Sequence, residues 1–124
     1  KAIDHNIKII PIPGASALLP ALVASGLPTH HFIFYGFLPV KKGRKTLIES
    51  WRGEDRTIVF YESPHRIQRT LTELSNILKN QSWRLVIARE LTKIHEEFIR
   101  GDLHEIAGTF RNPRGEFVLI LQKN

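Results

Sequence analysis

Residues 57–79, TIVFYESPHRIQRTLTELSNILK, place a strand directly before a helix. Thr57 to Glu62, with Ile58, Val59 and Phe60 at its centre, reads as a strand. Pro64 to Lys79 reads as a helix: Pro64 suits a first turn, and Ile67, Leu71, Leu74, Ile77 and Leu78 recur at helical spacing. Ser63 is a natural N-cap for it. The same alternation extends both ways along the chain. Downstream, Arg84 to Glu90 is a strand around Leu85, Val86 and Ile87. Glu96 to Arg100 is a second strand ended by Gly101, Asp102 caps a short helix through Ala107, and Glu116 to Gln122 is a last strand. Upstream, His31 to Phe37 is an aromatic, β-branched strand, and Lys41 to Trp51 is a basic amphipathic helix after the turn at Pro39. Ala15 to Ser25 is a small-residue helix closed by Gly26 and Pro28, preceded by an apolar strand at Ile7 to Ile12. Helices between strands predict an α/β domain, a sheet flanked by helices. The sheet is expected to be mixed, because the strands within Arg84 to Arg100 are close enough to pair locally.

The first residues carry no helix start signal, and Lys1 to Asn6 reads as a last helical turn. The expected organisation is therefore the end of one domain at 1–14 and an α/β domain at 15–124, with further sequence upstream. The chain has 124 residues, 42% hydrophobic and 24% charged, the balance of a globular domain with its own core. With no cysteine it makes no disulfide, thiolate nucleophile or cysteine-ligated metal site. Apolar runs such as Ala17 to Ala24 fall short of the roughly 20 residues that span a bilayer, so a soluble, cytoplasmic protein is expected. The formal net charge of +6 favours phosphate-rich partners, although a mildly basic soluble domain has the same charge without one.

Chemistry is expected where loops leave the carboxyl ends of strands. In the loop Pro11 to Ala17, Gly14 allows close backbone approach and Ser16 can cap or donate, but the Gly-Lys-Ser/Thr ending of a phosphate-binding loop is absent. Glu62, Ser63, His65 and Arg66 gather four polar groups in five positions. They also suit a solvated helix start, and the Gly-x-Ser-x-Gly elbow of a hydrolase is missing. Ala88 to Glu97 holds Arg89, Glu90, Lys93, His95, Glu96 and Glu97 without the ligand spacing of a metal site, so no metal is expected. Asn112 to Phe117 is a turn whose Glu116 stands at a strand mouth.

Taken in order, six segments resemble the tetrapyrrole-methylase superfamily. They are Pro11-Ile12-Pro13-Gly14-Ala15-Ser16-Ala17, Ala24-Ser25-Gly26-Leu27-Pro28, Gly36-Phe37-Leu38-Pro39, Phe60-Tyr61-Glu62-Ser63-Pro64-His65-Arg66, Ala88-Arg89-Glu90-Leu91-Thr92-Lys93 with His95-Glu96-Glu97, and Gly115-Glu116. The Tyr-Glu-Ser-Pro-His-Arg and Ala-Arg-Glu-Leu-Thr-Lys segments point within it to the enzymes that methylate a cytidine 2'-hydroxyl in small-subunit (16S) ribosomal RNA. The resemblance implies the C-terminal domain of the two-domain methyltransferase fold (class III), with S-adenosylmethionine as cofactor. It also implies a homodimeric parent enzyme acting on the 30S subunit, of which this chain is a part not expected to work alone. Carried over by position, Pro13, Gly14, Ser16, Tyr61, Glu62, Ala88, Arg89, Gly115 and Glu116 face the cofactor.

A ribose hydroxyl is a weak nucleophile and needs its proton taken or its oxygen polarised. Glu62, His65, Glu90, His95 and Glu96 are the candidates, with Glu62 and Glu90 preferred because their loops end strands. Arg66 and Lys93 suit phosphate, as does the run Lys41, Lys42, Arg44, Lys45, which equally suits a solvated helix start. Two other readings remain. One is a small-molecule corrin or tetrapyrrole methyltransferase; the other is a non-catalytic RNA-binding domain, against which the lack of a known RNA-binding motif counts.

Overall fold

A computed structural model describes residues 1, 3–8, 17–90, 96–111 and 114–124. The expected strand at Ile7 to Ile12 falls largely outside the described residues, as do Pro13, Gly14, Ser16, Lys93 and His95. So does the expected domain boundary at residues 14 and 15.

The α/β expectation holds. Five strands, β1 (Phe32–Phe37), β2 (Thr57–Glu62), β3 (Trp83–Arg89), β4 (Glu97–Asp102) and β5 (Phe117–Lys123), form one mixed sheet in the order β1-β2-β5-β3-β4. β1 and β2 are parallel, joined through the helix α2 (Arg44–Ser50). β5 lies between β2 and β3 and is antiparallel to both, and β3 and β4 pair antiparallel as neighbours in sequence. The strands alternate their side chains between two apolar layers. On one face Ile58, Phe60, Leu85, Ile87, Leu119 and Leu121 pack with α3 (Ile67–Ile77) and α4 (Leu103–Thr109). On the other, Val59, Val86, Ala88, Val118 and Ile120 meet α1 (Leu18–Ala24). Leu71, Leu74 and Leu78 are fully buried, as their spacing required. Each such side chain contributes about 1.5–3 kcal/mol by leaving water.

Element ends differ from expectation for local reasons. α2 starts at Arg44, three residues late, because Gly43 takes a left-handed φ of 81° that ends the preceding turn. α3 starts at Ile67. The Ser63 carbonyl accepts the N–H groups of Arg66 (3.1 Å) and Ile67 (3.0 Å), closing a separate turn over residues 64–66 before the helix proper. Ser63 therefore acts through its backbone, and Arg66 occupies the cap position expected for it. β4 runs through Gly101 to Asp102. The expected 1–6 helical turn is a 3-10 turn at Ile3–His5.

One polar tie joins α1 to the sheet, and another braces the segment before β2. Arg100, lying 4.9 Å over the Phe98 ring, donates to the Ala24 (2.6 Å) and Ser25 (3.3 Å) carbonyls and so ties the end of α1 to β4. Ahead of β2, the Arg56 side chain and backbone N–H hydrogen-bond the Glu54 carboxylate and hold its pKa down at about 2.

Asp102 accepts the backbone N–H groups of His104 (2.8 Å) and Glu105 (3.1 Å). An Asp102→Ala variant is expected to lose about 0.5–2 kcal/mol in urea denaturation, and Asp102→Asn to stay within a few tenths of wild type. Equal losses in the two variants would assign the effect to something other than the cap.

Candidate functional site

Because β2 and β3 are both antiparallel to β5, they are parallel to each other, and the carboxyl ends of β1, β2 and β3 share one edge of the sheet. The register aligns Glu62, Phe117, Arg89 and Glu97 in one row across four strands, and Tyr61, Val118, Ala88 and Phe98 in the next. Most of the separately quoted segments thereby arrive at one edge.

A cleft of about 440 Å³ opens there. Phe37, Tyr61, Phe117 and Val118 give it apolar walls; Glu62, Ser63 and Glu116 supply polar atoms; Ala17 and Pro64 complete the lining. Phe34 and Phe37 stand edge-on to the Tyr61 ring at centroid distances of 5.1 and 5.5 Å, which fixes the aromatic wall. A largely apolar hollow with a few convergent polar groups is the usual form of a small-molecule site.

Glu62 is 4% exposed, on the side of β2 that faces α3. Its Oε1 accepts the Ser63 N–H (2.8 Å) and the Arg66 Nε–H (3.3 Å), and its Oε2 accepts the Thr70 hydroxyl (2.6 Å). Arg44 approaches Oε2 at 3.8 Å, donates to Thr70 Oγ1 (2.7 Å) and the Pro39 carbonyl (3.0 Å), and pairs through Nε with both Glu73 oxygens (3.0 and 3.2 Å). A buried carboxylate with this many donors is held in place by the fold. Arg44 was expected as an RNA contact in a surface basic run. It is instead 8% exposed, with its donors turned inward, while Lys41, Lys42 and Lys45 are exposed.

Glu90 does not line the cleft; it closes the turn beside it. It takes a left-handed φ of 53°, its N–H donates to the Glu116 carbonyl (3.1 Å), and its Oε1 accepts the Glu116 N–H (2.8 Å). Gly115, at φ 102°, makes room for this: a Cβ there would stand 2.7 Å from Glu90 Cγ and 2.8 Å from Cδ. Arg89 bonds Glu97 through Nε (3.0 Å) and the Arg114 carbonyl through a terminal nitrogen (3.3 Å). Ala88 is buried in the sheet row of Tyr61.

Of the residues expected to face the cofactor, Tyr61, Glu62 and Glu116 therefore line the cleft. Ala88, Arg89 and Gly115 flank it, and Pro13, Gly14 and Ser16 lie outside the described residues. His65 and Glu96 are exposed. Phe37, Phe117 and Val118 had no assigned role, since apolar strand residues read as core. Thr70, a polar residue on the apolar stripe of α3, was the one sequence signal of the buried network.

Gly115→Ala is expected to cost about 1–3 kcal/mol in urea denaturation through the φ strain and the collision with Glu90. In a double-mutant cycle, Glu90→Ala should recover part of that loss. A simple sum of the two single losses would mean that the residues do not meet.

Comparison with known proteins fits this geometry. The profile of the tetrapyrrole (corrin/porphyrin) methylases matches residues 1–107. Ribosomal RNA small subunit methyltransferase I of Synechocystis is 50% identical over 121 residues, which are 95% of this chain and 43% of the relative. The proteins of that name from Bacillus subtilis (44% identical; 92% of this chain, 39% of the relative) and Thermotoga maritima (43%; 94% and 53%) are similar as well. The chain thus spans two fifths to about half the length of these relatives. Among solved structures, the methyltransferase CobJ superimposes with a TM-score of 0.66 at 21% identity, covering 98% of this chain and 54% of that one. The uroporphyrin-III C-methyl transferase of Thermus thermophilus, complexed with S-adenyl homocysteine, gives 0.61 at 20%, covering 98% and 55%. At these identities the likeness is one of fold.

Proposed function

The chain belongs to the tetrapyrrole (corrin/porphyrin) methylase family, and on that premise we propose that it is part of an S-adenosylmethionine-dependent enzyme that methylates a cytidine 2'-hydroxyl of small-subunit ribosomal RNA. The observation that carries this reading is the strand-end cleft, where the family's segments converge, taken with relatives up to 50% identical that are named for that activity.

The cleft suits the cofactor by volume and by its apolar walls with polar edges. We assign Phe37, Tyr61, Phe117 and Val118 to its apolar parts, and Glu116 with the Glu62–Ser63 segment to its polar groups. Pro13, Gly14 and Ser16 are proposed to close the site from the neighbouring loop, and Ala88, Arg89 and Gly115 to shape its rim. The bound cofactor supplies an activated methyl group; the protein supplies position and electrostatics. Of the two carboxylates put forward to take the hydroxyl proton, Glu62 lines the cleft and Glu90 holds the Glu116 backbone, so Glu62 is the stronger proposal. Oε2 of Glu62 accepts only the Thr70 hydroxyl, with Arg44 at 3.8 Å, so it keeps a lone pair on which a proton can be taken. Lys41, Lys42, Lys45, Arg66 and Lys93 are proposed to meet RNA phosphates. A homodimer of the whole enzyme, acting in the cytoplasm on the 30S subunit, completes the proposal.

The enzyme containing this chain, given labelled S-adenosylmethionine and 30S subunits, is expected to label a cytidine 2'-oxygen of 16S RNA. Label entering a tetrapyrrole and not the RNA would overturn the reading in favour of a small-molecule methyltransferase. A Glu62→Gln enzyme is expected to lose about 10²–10⁴-fold in kcat with cofactor affinity retained, if Glu62 takes the proton. A loss of cofactor affinity with kcat retained would assign Glu62 to shaping the cleft alone.

A further inference from the structure

A second hollow, of about 720 Å³, lies against α3 and meets the strand-end cleft at the turn over residues 64–66. Pro64 lines the cleft and His65 lines the hollow, so one turn divides the two. From His65 the hollow follows Gln68, Arg69, Thr72 and Asn76, one face of α3 at helical spacing, with Lys45 of α2 beside it. Between Gln68 and Asn76 alone it follows roughly 12 Å of helix.

Basic and amide side chains rim it over a largely apolar floor of side-chain stems that includes Ile77. Lys45, His65, Arg69, Thr72 and Asn76 are exposed, and Gln68 and Asn76 offer amide donors. The single acid in the lining, Glu73, would repel a polyanion, but Arg44 pairs with both of its oxygens from the buried side. The inward turn of Arg44 therefore leaves the cationic groups of this surface unopposed by Glu73. Exposed Lys41 and Lys42 stand on the approach to α2, and Arg66 stands on the dividing turn.

We infer that the α3 hollow seats the phosphate backbone of the RNA strand whose ribose enters the strand-end cleft over the 64–66 turn. Lys45 and Arg69 contact phosphates, and Gln68, Asn76 and His65 donate to phosphate or sugar oxygens. The inference rests on the RNA-methylation reading and adds to it the path of the strand. Contacts of this kind set register and affinity without reading sequence.

The test measures the affinity of the whole chain for a short fluorescent single-stranded RNA across roughly 50–200 mM salt. A Lys45→Gln/Arg69→Gln variant is compared with Arg56→Gln/Arg84→Gln, which removes the same charge at the amino ends of β2 and β3, the opposite edge of the sheet. Removing two phosphate contacts should lower the slope of log affinity against log salt by about 1.4 and weaken binding by on the order of tenfold or more, whereas the control pair leaves the slope unchanged. Equal losses from both pairs, no loss from the first, or no RNA binding by the unsubstituted chain near 50 mM salt would overturn the inference. The parent enzyme separates this outcome from the wider reading. Methyl transfer to RNA with an unchanged RNA KM in the Lys45→Gln/Arg69→Gln enzyme overturns the hollow and leaves the methyltransferase reading standing. Methyl transfer absent from the unsubstituted enzyme removes the premise itself.

Discussion

The site depends on one constraint, the insertion of β5 antiparallel between β2 and β3. Those two strands do not pair with each other; β5 sets their relative register. It does so through continuous backbone pairing, from Ile58 opposite Leu121 to Glu62 opposite Phe117 on one side and from Trp83 opposite Lys123 to Arg89 opposite Phe117 on the other. A slip of one residue would exchange the two faces of the strand, turning Phe117, Leu119 and Leu121 toward α1 and Val118 and Ile120 toward α3 and α4. All five side chains are buried, so the slip would mismatch their volumes to the two layers, at about 1–3 kcal/mol for each overpacked site. The energetics of the core thereby set which residues meet at the strand ends.

The second organising element is the polar network beneath that edge. Buried ion pairs seldom stabilise more than well-packed apolar side chains of the same volume, yet losing one partner leaves a charge uncompensated. Arg44, Glu62, Thr70 and Glu73 tie α2, β2 and α3 together, so the wall of the cleft and the surface of α3 share one set of hydrogen bonds. The helix that receives the basic segment is thus held in place from beneath the site. The Glu90–Glu116 hydrogen bonds do the same for the other rim, with Gly115 leaving the space that they need.

Much of this was legible in the sequence, and what was not has a physical cause. Thr57 to Glu62 forms the strand that its composition predicted, and Asp102 caps α4 as its position before an apolar run implied. α3 begins three residues after Pro64 because Ser63 to Arg66 closes a turn of its own, which periodicity does not register. Arg44 reads as one more cation in a basic run; only the left-handed Gly43 and the acids on β2 and α3 bring it inside. Segments that carry the site were visible one by one, but the row joining Glu62, Phe117 and Arg89 rests on long-range register. Phe37 and Val118 look like any strand residues until that register puts them on a cleft.

The most direct measurement is an amide chemical-shift titration of the whole chain with S-adenosylhomocysteine, which detects even weak binding. Shifts should concentrate at the edge where β1, β2 and β3 end and β5 begins, at Phe37, Tyr61, Glu62, Ser63, Glu116 and Val118. Shifts confined to α4 and the opposite ends of the strands, or none up to the solubility of the ligand, would contradict the account.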